Sequence, residues 1–474
     1  MSALWTAQDA ALATGAAPVP GAAWVAGGVS IDTRAVAPSD LFVALKGPRF
    51  DGHDFVGAAL ANGAAAAMVD RPMPGADPTR LLAVPDTQAG LEALAVAARA
   101  RTAARIVAIT GSVGKTGTKE ALAALLGAQG LTHASSGNLN NQIGMPLSLA
   151  RMPAISQFGV FEIGMNHAGE ITPLSAMLRP HVVIITNVEA VHLEYFADVE
   201  AIADAKAEIF TGLDADGVAI LNHDNPHFAR LTARAKEHGI RRIWGFGEAA
   251  GADARLVSVA LDPAGSTVEA TILGRAVRFR LPLPGRHQVQ NALAVLLAVA
   301  AVGGNVEAAA EALEGLAPVK GRGVTSEIQI VGGSFKIIDE TYNASPAAVR
   351  AAVAVLGMIQ PQAGGRRIVA LGDMLELGEG SPAAHAGLAE SLIAAGIDRV
   401  FTAGPLMRHL QDALPVRMKG GHTDNSTSLS SLVADSAGPG DIVLVKGSAG
   451  SQMSAVVAAL RGRAQSVTET DRAV

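Results

Sequence analysis

The chain has 474 residues, of which 49% are hydrophobic and 17% charged, too long for one ordinary core and too apolar for a disordered polypeptide. Its formal net charge of −6 offers no basic footprint for nucleic acid, and without cysteine it can hold neither a disulfide framework nor a thiolate zinc site. The opening MSALWTAQDAALATG has no Lys or Arg cluster ahead of an apolar run, so it is not a secretory signal, and a cytoplasmic protein is expected.

In chain order, the first region runs to about Asp86 and offers VSIDTRAV, DLFVALKG and AAAAMVD as short strands, with a polar loop, GPRFDGHDF, between the last two. A helical stretch, GLEALAVAARAR, leads into the second region. That region opens with RIVAIT, an apolar run rich in branched residues that reads as a buried strand, and continues with FGVFEIGM, VVIITNV and GVAILN between helical segments. Strands alternating with helices predict a parallel, doubly wound sheet. After Trp244 come three more β-like stretches, RLVSVAL, TVEATIL and AVRFRLPL, and then a helix from near Gln288. The apolar run in NALAVLLAVAAVGG is shorter than a membrane span and reads as a buried core helix, so no membrane insertion is expected. The third region starts near Gly315 and repeats the α/β pattern with FKIIDET, RRIVALGDM, RVFTAG and DIVLVKGS; the polar tail after Arg463 is expected to fray. The reading is an α/β protein of three domains: a small α/β N-terminal domain over 1–86, a central P-loop parallel-sheet ATPase domain over 87–314, and a C-terminal Rossmann-like α/β domain over 315–474.

The strongest single motif is Gly111-Ser112-Val113-Gly114-Lys115-Thr116, delivered by a strand and followed by a helix. Glycines let backbone N–H groups approach phosphate oxygens, and the helix N-terminus adds partial positive charge. Lys115 can reach the β- and γ-phosphates and the Thr116 hydroxyl can bind Mg²⁺. The full-length pattern places a glycine where this chain has Ile109, so the match is to a shortened G-x-x-G-K-T form. Such a loop serves kinases, ATPases and switches alike; with no N-K-x-D signature, a GTP switch is disfavoured.

Glu162 lies inside the otherwise apolar FGVFEIGM, where a carboxylate must be paired, metal-bound or at the strand's solvent end. His192 follows VVIITNV; a lone histidine there is more often structural than a ligand. Ligands nevertheless gather at the C-terminal ends of parallel strands. Thr116, Glu162 and His192 can therefore converge beside a γ-phosphate, in a donor set suited to Mg²⁺ or Mn²⁺. Lys206, in AIADAKAEIF, reads from composition alone as an ordinary surface lysine.

The order of motifs carries more. SIDTR and KGPRFDGHDF are followed by TGSVGKTGTKE, GNLNNQIGMPLSL, EIGMNHAGEI, TNVEAVHLEYF and AKAEIF, then by GRHQVQNALA, KGRG, DETYNASP, LGDMLELG and VKGS. In that order, over nearly the whole chain, they resemble the Mur ligase family, and within it the branch that adds D-alanyl-D-alanine. The resemblance implies an N-terminal domain for the UDP-sugar, a central one for ATP, and a C-terminal one that closes over the site and binds the incoming amine. It implies that Lys206 is the lysine carbamylated in this family, which as an anion ligates a second Mg²⁺ beside Thr116, Glu162 and His192. It further implies that Asn291 contacts adenine, that Arg322 reaches the phosphates on closure, and that Asp339 holds the ribose with Tyr342 and Asn343 nearby. Ser30, Thr33 and Arg34, with Asp51, Gly52 and His53, fall at the UDP end. By the same resemblance Asn138 and Asn141 are expected as substrate-side groups of the central domain, and Lys446 and Ser448 at the ligation site. Ser345-Pro346 stands where the family often has Asn-Pro, and DNPH at Asp224 to His227 reads as a turn rather than as a relative's D-N-P-R motif.

The implied reaction uses ATP to phosphorylate the terminal carboxylate of UDP-N-acetylmuramoyl-tripeptide, after which the amine of D-alanyl-D-alanine displaces phosphate from the acyl phosphate. A monomer is expected. The alternatives are a sister ligase adding a single amino acid and a P-loop ATPase with no acyl acceptor; the latter gives no account of the third α/β region.

Overall fold

The computed structural model describes residues 3–191 and 193–464. Three large sheets organise it, with a two-stranded antiparallel ribbon, Trp5–Thr6 against Val25–Ala26, near the N-terminus. The N-terminal sheet is all parallel, with strands Gly28–Ser30, Asp40–Val43, Ala66–Val69 and Leu81–Ala83 paired in sequence order. VSIDTRAV is strand only at its start. Asp32 then accepts from the backbone N–H of Arg34, an Asx-type turn that competes with further pairing.

The central sheet has nine strands. Its parallel part runs Ala254–Asp262, Arg242–Gly247, Val218–Asn222, Val182–Ile185, Arg105–Thr110, Phe158–Glu162, Thr132–Ala134. The strands Gly265–Ile272 and Arg275–Leu281 extend it as an antiparallel meander, which accounts for the β-like stretches beyond Trp244. Both faces of Arg105–Thr110 are covered. Val107 and Ile109 pack into one core, and Ile106 and Ala108 into another, so the strand reads as an unbroken apolar run. The helix Arg286–Ala301 fills the first of these cores with ten buried residues, which is why its sequence is apolar all round. From Arg105–Thr110 the chain goes to the far edge at Thr132–Ala134, returns through Phe158–Glu162, and then crosses to Val182–Ile185 on the other side. That reversal opens a crevice at the C-terminal ends of the strands.

The C-terminal sheet has six strands in the order Val324–Ile330, Gly333–Glu340, Ile442–Lys446, Arg367–Gly372, Arg399–Ala403, Lys419–Thr423, antiparallel at the first pair and parallel thereafter. Helices on its two faces close separate cores. Ser345 caps the helix Pro346–Met358 by accepting from the N–H of Ala348, and Pro346 sits at its first position. No helix among the described residues is long and apolar enough to cross a membrane.

Candidate active site

Arg105–Thr110 delivers the glycine loop into the crevice, and the helix Lys115–Gly127 leaves from it. Gly111 has φ +146, and a Cβ there would lie 2.0 Å from Thr186 Oγ1, so no side chain fits. Gly114, at φ +90, is packed against the Asn291 amide. The loop is held from behind. Thr186 Oγ1 donates to the Val113 carbonyl (2.6 Å), Ser112 N donates to the Asn187 carbonyl (2.8 Å), and Glu189 N donates to Ser112 Oγ (3.0 Å). Lys115 folds back to donate to the Gly111 carbonyl at 2.6 Å. Desolvation lowers its pKa, partly offset by Glu162.

Glu162 is the last residue of its strand and is 2% exposed. Thr116 Oγ1 donates to its Oε2 at 2.8 Å and Asn140 Nδ2 to its Oε1 at 2.8 Å; its own N–H donates to Ser135 Oγ at 3.1 Å. Thr116 in turn accepts from Arg322 Nη2 at 3.0 Å, a bond from the third sheet's domain to the P-loop. The Arg322 guanidinium lies 4.1 Å over the ring of Tyr342.

Lys206 is not the surface lysine its composition suggests: it is 2% exposed, in the last turn of Val199–Ala207, a helix capped by Asp198. Its ammonium has no hydrogen-bond partner among the described residues. Burial and then the charge of Lys115 push its pKa well below the ordinary lysine range. His192 lies outside the described residues.

Of the other candidates, Asp339 is the penultimate residue of the strand Gly333–Glu340 and accepts from Thr341 Oγ1 at 2.7 Å. Lys446 is buried, donating to Glu340 (3.1 Å) and to the Asn343 carbonyl (2.8 Å). Ser448 Oγ accepts from Leu375 N at 3.0 Å. Asn141 accepts from the N–H groups of Ile143 and Gly144 at the start of the helix Gly144–Ala150, whereas Asn138 is exposed. In the N-terminal domain Ser30 is buried, Thr33 follows it in the turn, and Arg34 is solvent-facing and paired with Asp32 at 2.7 Å. His53 is buried between Asp51 (2.7 Å) and Asp70 (3.0 Å), and Asp51 also pairs with Arg71. Gly52 lies so close to Leu45 that a Cβ would meet its backbone at 2.7 Å.

The structure thus joins Lys115, Thr116, Glu162 and Arg322 into one cluster, with Lys206 close enough to Lys115 to feel its charge. His53 with Asp51 and Asp70, Arg34 with Asp32, and Lys446 with Ser448 through Asn343 and Ala344 form separate groups. Sequence reading missed Asn140. GNLNN contains three asparagines, and nothing in their spacing reveals that the middle one faces the carboxylate. DNPH is a turn: Asp224 accepts from the N–H groups of Glu248 and Ala249.

Comparison with known proteins bears on what this cluster serves. Models described as Mur ligase family catalytic domain, Mur ligase middle domain and Mur ligase glutamate ligase domain match residues 26–102, 109–299 and 328–449. The UDP-N-acetylmuramoyl-tripeptide–D-alanyl-D-alanine ligase of Escherichia coli K12 is 38% identical over 436 residues, 91% of this chain and 93% of that protein. The Rickettsia prowazekii enzyme of the same name is 33% identical, over 90% and 94%. Among solved structures, MurF from Acinetobacter baumannii superposes with a TM-score of 0.84 at 32% identity, over 97% of this chain and 99% of that one. MurF ligase from Thermotoga maritima in complex with ADP gives 0.75 at 27%, over 92% and 97%. With all three domain models matched in order, and relatives aligned over about nine-tenths of both chains, the chain belongs to the Mur ligase family.

Proposed function

We propose that the chain is an ATP-dependent ligase that joins D-alanyl-D-alanine to UDP-N-acetylmuramoyl-tripeptide, releasing UDP-N-acetylmuramoyl-pentapeptide, ADP and phosphate. The observation that carries this reading is the Arg322–Thr116 bond: a P-loop whose metal-side hydroxyl is met by an arginine of another α/β domain. A switch or simple ATPase has no need of that third domain, whereas a ligase must bring a second substrate to the activated first.

A carboxylate is a poor electrophile, and phosphorylation by ATP makes it one. Lys115 and the N–H groups from Gly111 to Thr116 would cradle the phosphates; Arg322 would add positive charge as the γ-phosphoryl moves. Asn291, packed on Gly114, would contact the base, and Asp339, with Tyr342 and Asn343, would hold the ribose from the opposing domain. Ser30, Thr33, Arg34 and Asp51, Gly52, His53 would hold the UDP end. Lys446 and Ser448 would order the acceptor side, with Asn138 and Asn141 toward the tripeptide. Aligning the substrates contributes as much as charge does.

Mg²⁺ fits the residues present. Glu162 is a buried carboxylate that accepts from two neutral donors and makes no ion pair among the described residues, leaving its charge for a cation, and the Thr116 hydroxyl touches it. His192 completes the proposed set. Lys206, buried near Lys115, is an amine held toward its neutral form, the form that adds CO₂; as a carbamate it would offer oxygen ligands and relieve like-charge repulsion. Bound there, the metal would neutralise charge on the transferring phosphoryl group.

Phosphate release from ATP and Mg²⁺, with each substrate added or withheld, tests the reading. Release that needs both the tripeptide and the dipeptide, with a pentapeptide product by mass, is the expected result. Response to a free amino acid and a shorter precursor would point instead to a sister ligase, and release without acceptor to a plain ATPase.

A further inference from the structure

Lys119 lies one turn beyond Lys115 on the P-loop helix, at i+4 from it and i+3 from Thr116, and therefore on the same face of the helix. It has no exposed surface. Enclosing an ammonium is costly unless it is well paired. Its Nζ makes two short contacts: one to Glu120 Oε1 at 2.6 Å and one to the backbone carbonyl of Ser135 at 2.5 Å. Glu120 is partly exposed, but Ser135 is 2% exposed and tied into the site.

Ser135 follows the edge strand Thr132–Ala134, and its N–H donates to the Val160 carbonyl at 3.0 Å. Its hydroxyl accepts from the N–H of Glu162 at 3.1 Å. Ser135 also begins the loop that carries Asn140, whose amide donates to the other end of the same glutamate and whose carbonyl accepts from Gly164 N at 2.9 Å. One cation thus holds the residue that fixes the Glu162 backbone and roots the loop that orients its carboxylate.

We infer that Lys119 is a positioning residue, which sets Glu162 for the divalent cation by clamping Ser135. The inference rests on the proposed role of Glu162 as a metal ligand. Residues behind a ligand govern where its oxygens stand, and their loss typically costs about 10- to 100-fold in metal affinity. Lys119→Met keeps the length and apolar stem and removes every donor. Ser135→Ala keeps the carbonyl that Lys119 clamps and removes only the hydroxyl that Glu162 uses.

The test is a Mn²⁺ titration of the full-length chain read by electron paramagnetic resonance, with non-hydrolysable AMP-PNP present, for the parent, Lys119→Met, Ser135→Ala, their double variant and Glu162→Gln. Metal-free AMP-PNP affinity is measured alongside. The expected result is Mn²⁺ binding about 10-fold weaker in Lys119→Met and Ser135→Ala. Metal-free nucleotide affinity should stay within about two-fold, and the double variant should be no worse than the weaker single one, because both act through one path. Parent-like Mn²⁺ affinity in Lys119→Met, with Glu162→Gln weakened, overturns the inference whatever Ser135→Ala does and leaves the role of Glu162 standing. Parent-like affinity in Glu162→Gln removes that role and the inference with it. If Lys119→Met does not fold, Lys119→Gln, which removes the charge and shortens the reach to the Ser135 carbonyl, takes its place: weakened Mn²⁺ binding supports the clamp and parent-like binding overturns it.

Discussion

Arg322 Nη2 stands 3.0 Å from the hydroxyl of Thr116, so the C-terminal domain touches the P-loop at the residue proposed to hold the metal. The guanidinium is backed by Tyr342 at 4.1 Å, which fixes its plane on its own domain. Arg322→Ala should therefore lower kcat by about 100-fold, as the loss of a donor aimed at developing charge does. The change in ATP KM should be smaller. Arg322→Lys should recover little, because an ammonium neither stacks on the ring nor forks. Steady-state kinetics check this; equal falls in kcat and in ATP affinity would instead make Arg322 a ground-state binder.

Neighbouring asparagines should behave oppositely. Asn140 donates to Glu162, whereas Asn141 accepts from two N–H groups that open the helix Gly144–Ala150. Asn140→Ala should cut turnover at least about 10-fold with little change in melting temperature. Asn141→Ala should instead cost about 1 kcal/mol of stability, the usual loss on removing a helix-opening side chain. Calorimetry and turnover on the same two preparations separate these outcomes; a catalytic defect confined to Asn141→Ala would reverse the assignment.

Lys206 should make activity depend on CO₂. Its amine is buried, lacks a hydrogen-bond partner among the described residues and is pushed toward the neutral form by burial and by Lys115. Depleting CO₂ from the buffers should lower turnover, and bicarbonate should restore it. Lys206→Ala should lose at least about 100-fold, the upper end of what removal of a group behind a metal ligand costs, and regain part of it with a short carboxylate that can occupy the carbamate's place. Turnover indifferent to CO₂ in the parent would exclude the modification.

The glycine loop was legible in the sequence because its chemistry is local: strand, glycines, lysine, threonine and helix are consecutive, and Gly111 and Gly114 occupy backbone conformations that few other residues take. Glu162 was legible for a different reason, as a charge in an apolar strand. The three-domain α/β architecture followed from alternating patterns. Asn140 and Lys119 were not legible, since their roles depend on which way a loop and a helix face turn, and that is decided by packing from Val160 and Gly164. Lys206 lay between these cases. Its local sequence is that of any surface helix, and only tertiary packing buries it.

At the other end of the central sheet, His181 gives the protein an acid-sensitive joint. Its Nδ1 accepts from the N–H of Ile106 at 2.9 Å, at the base of the strand that leads to the P-loop, and that acceptor role requires a neutral ring. Burial, with Arg105 and Arg99 nearby, lowers its pKa from 6.5 to about 4; Asp214 opposes them. A depressed pKa means that the unfolded chain takes up a proton below about pH 6.5 that the folded chain refuses until about pH 4. The stabilisation is therefore complete above pH 6.5 and is lost as the pH falls through that window. Because the ring is only half-buried, the effect is moderated by solvent. His181→Asn retains an acceptor but does not titrate. Urea midpoints measured from pH 8 to pH 4 should fall less steeply for the variant than for the parent between pH 6.5 and pH 4, and parallel slopes would place the acid sensitivity elsewhere.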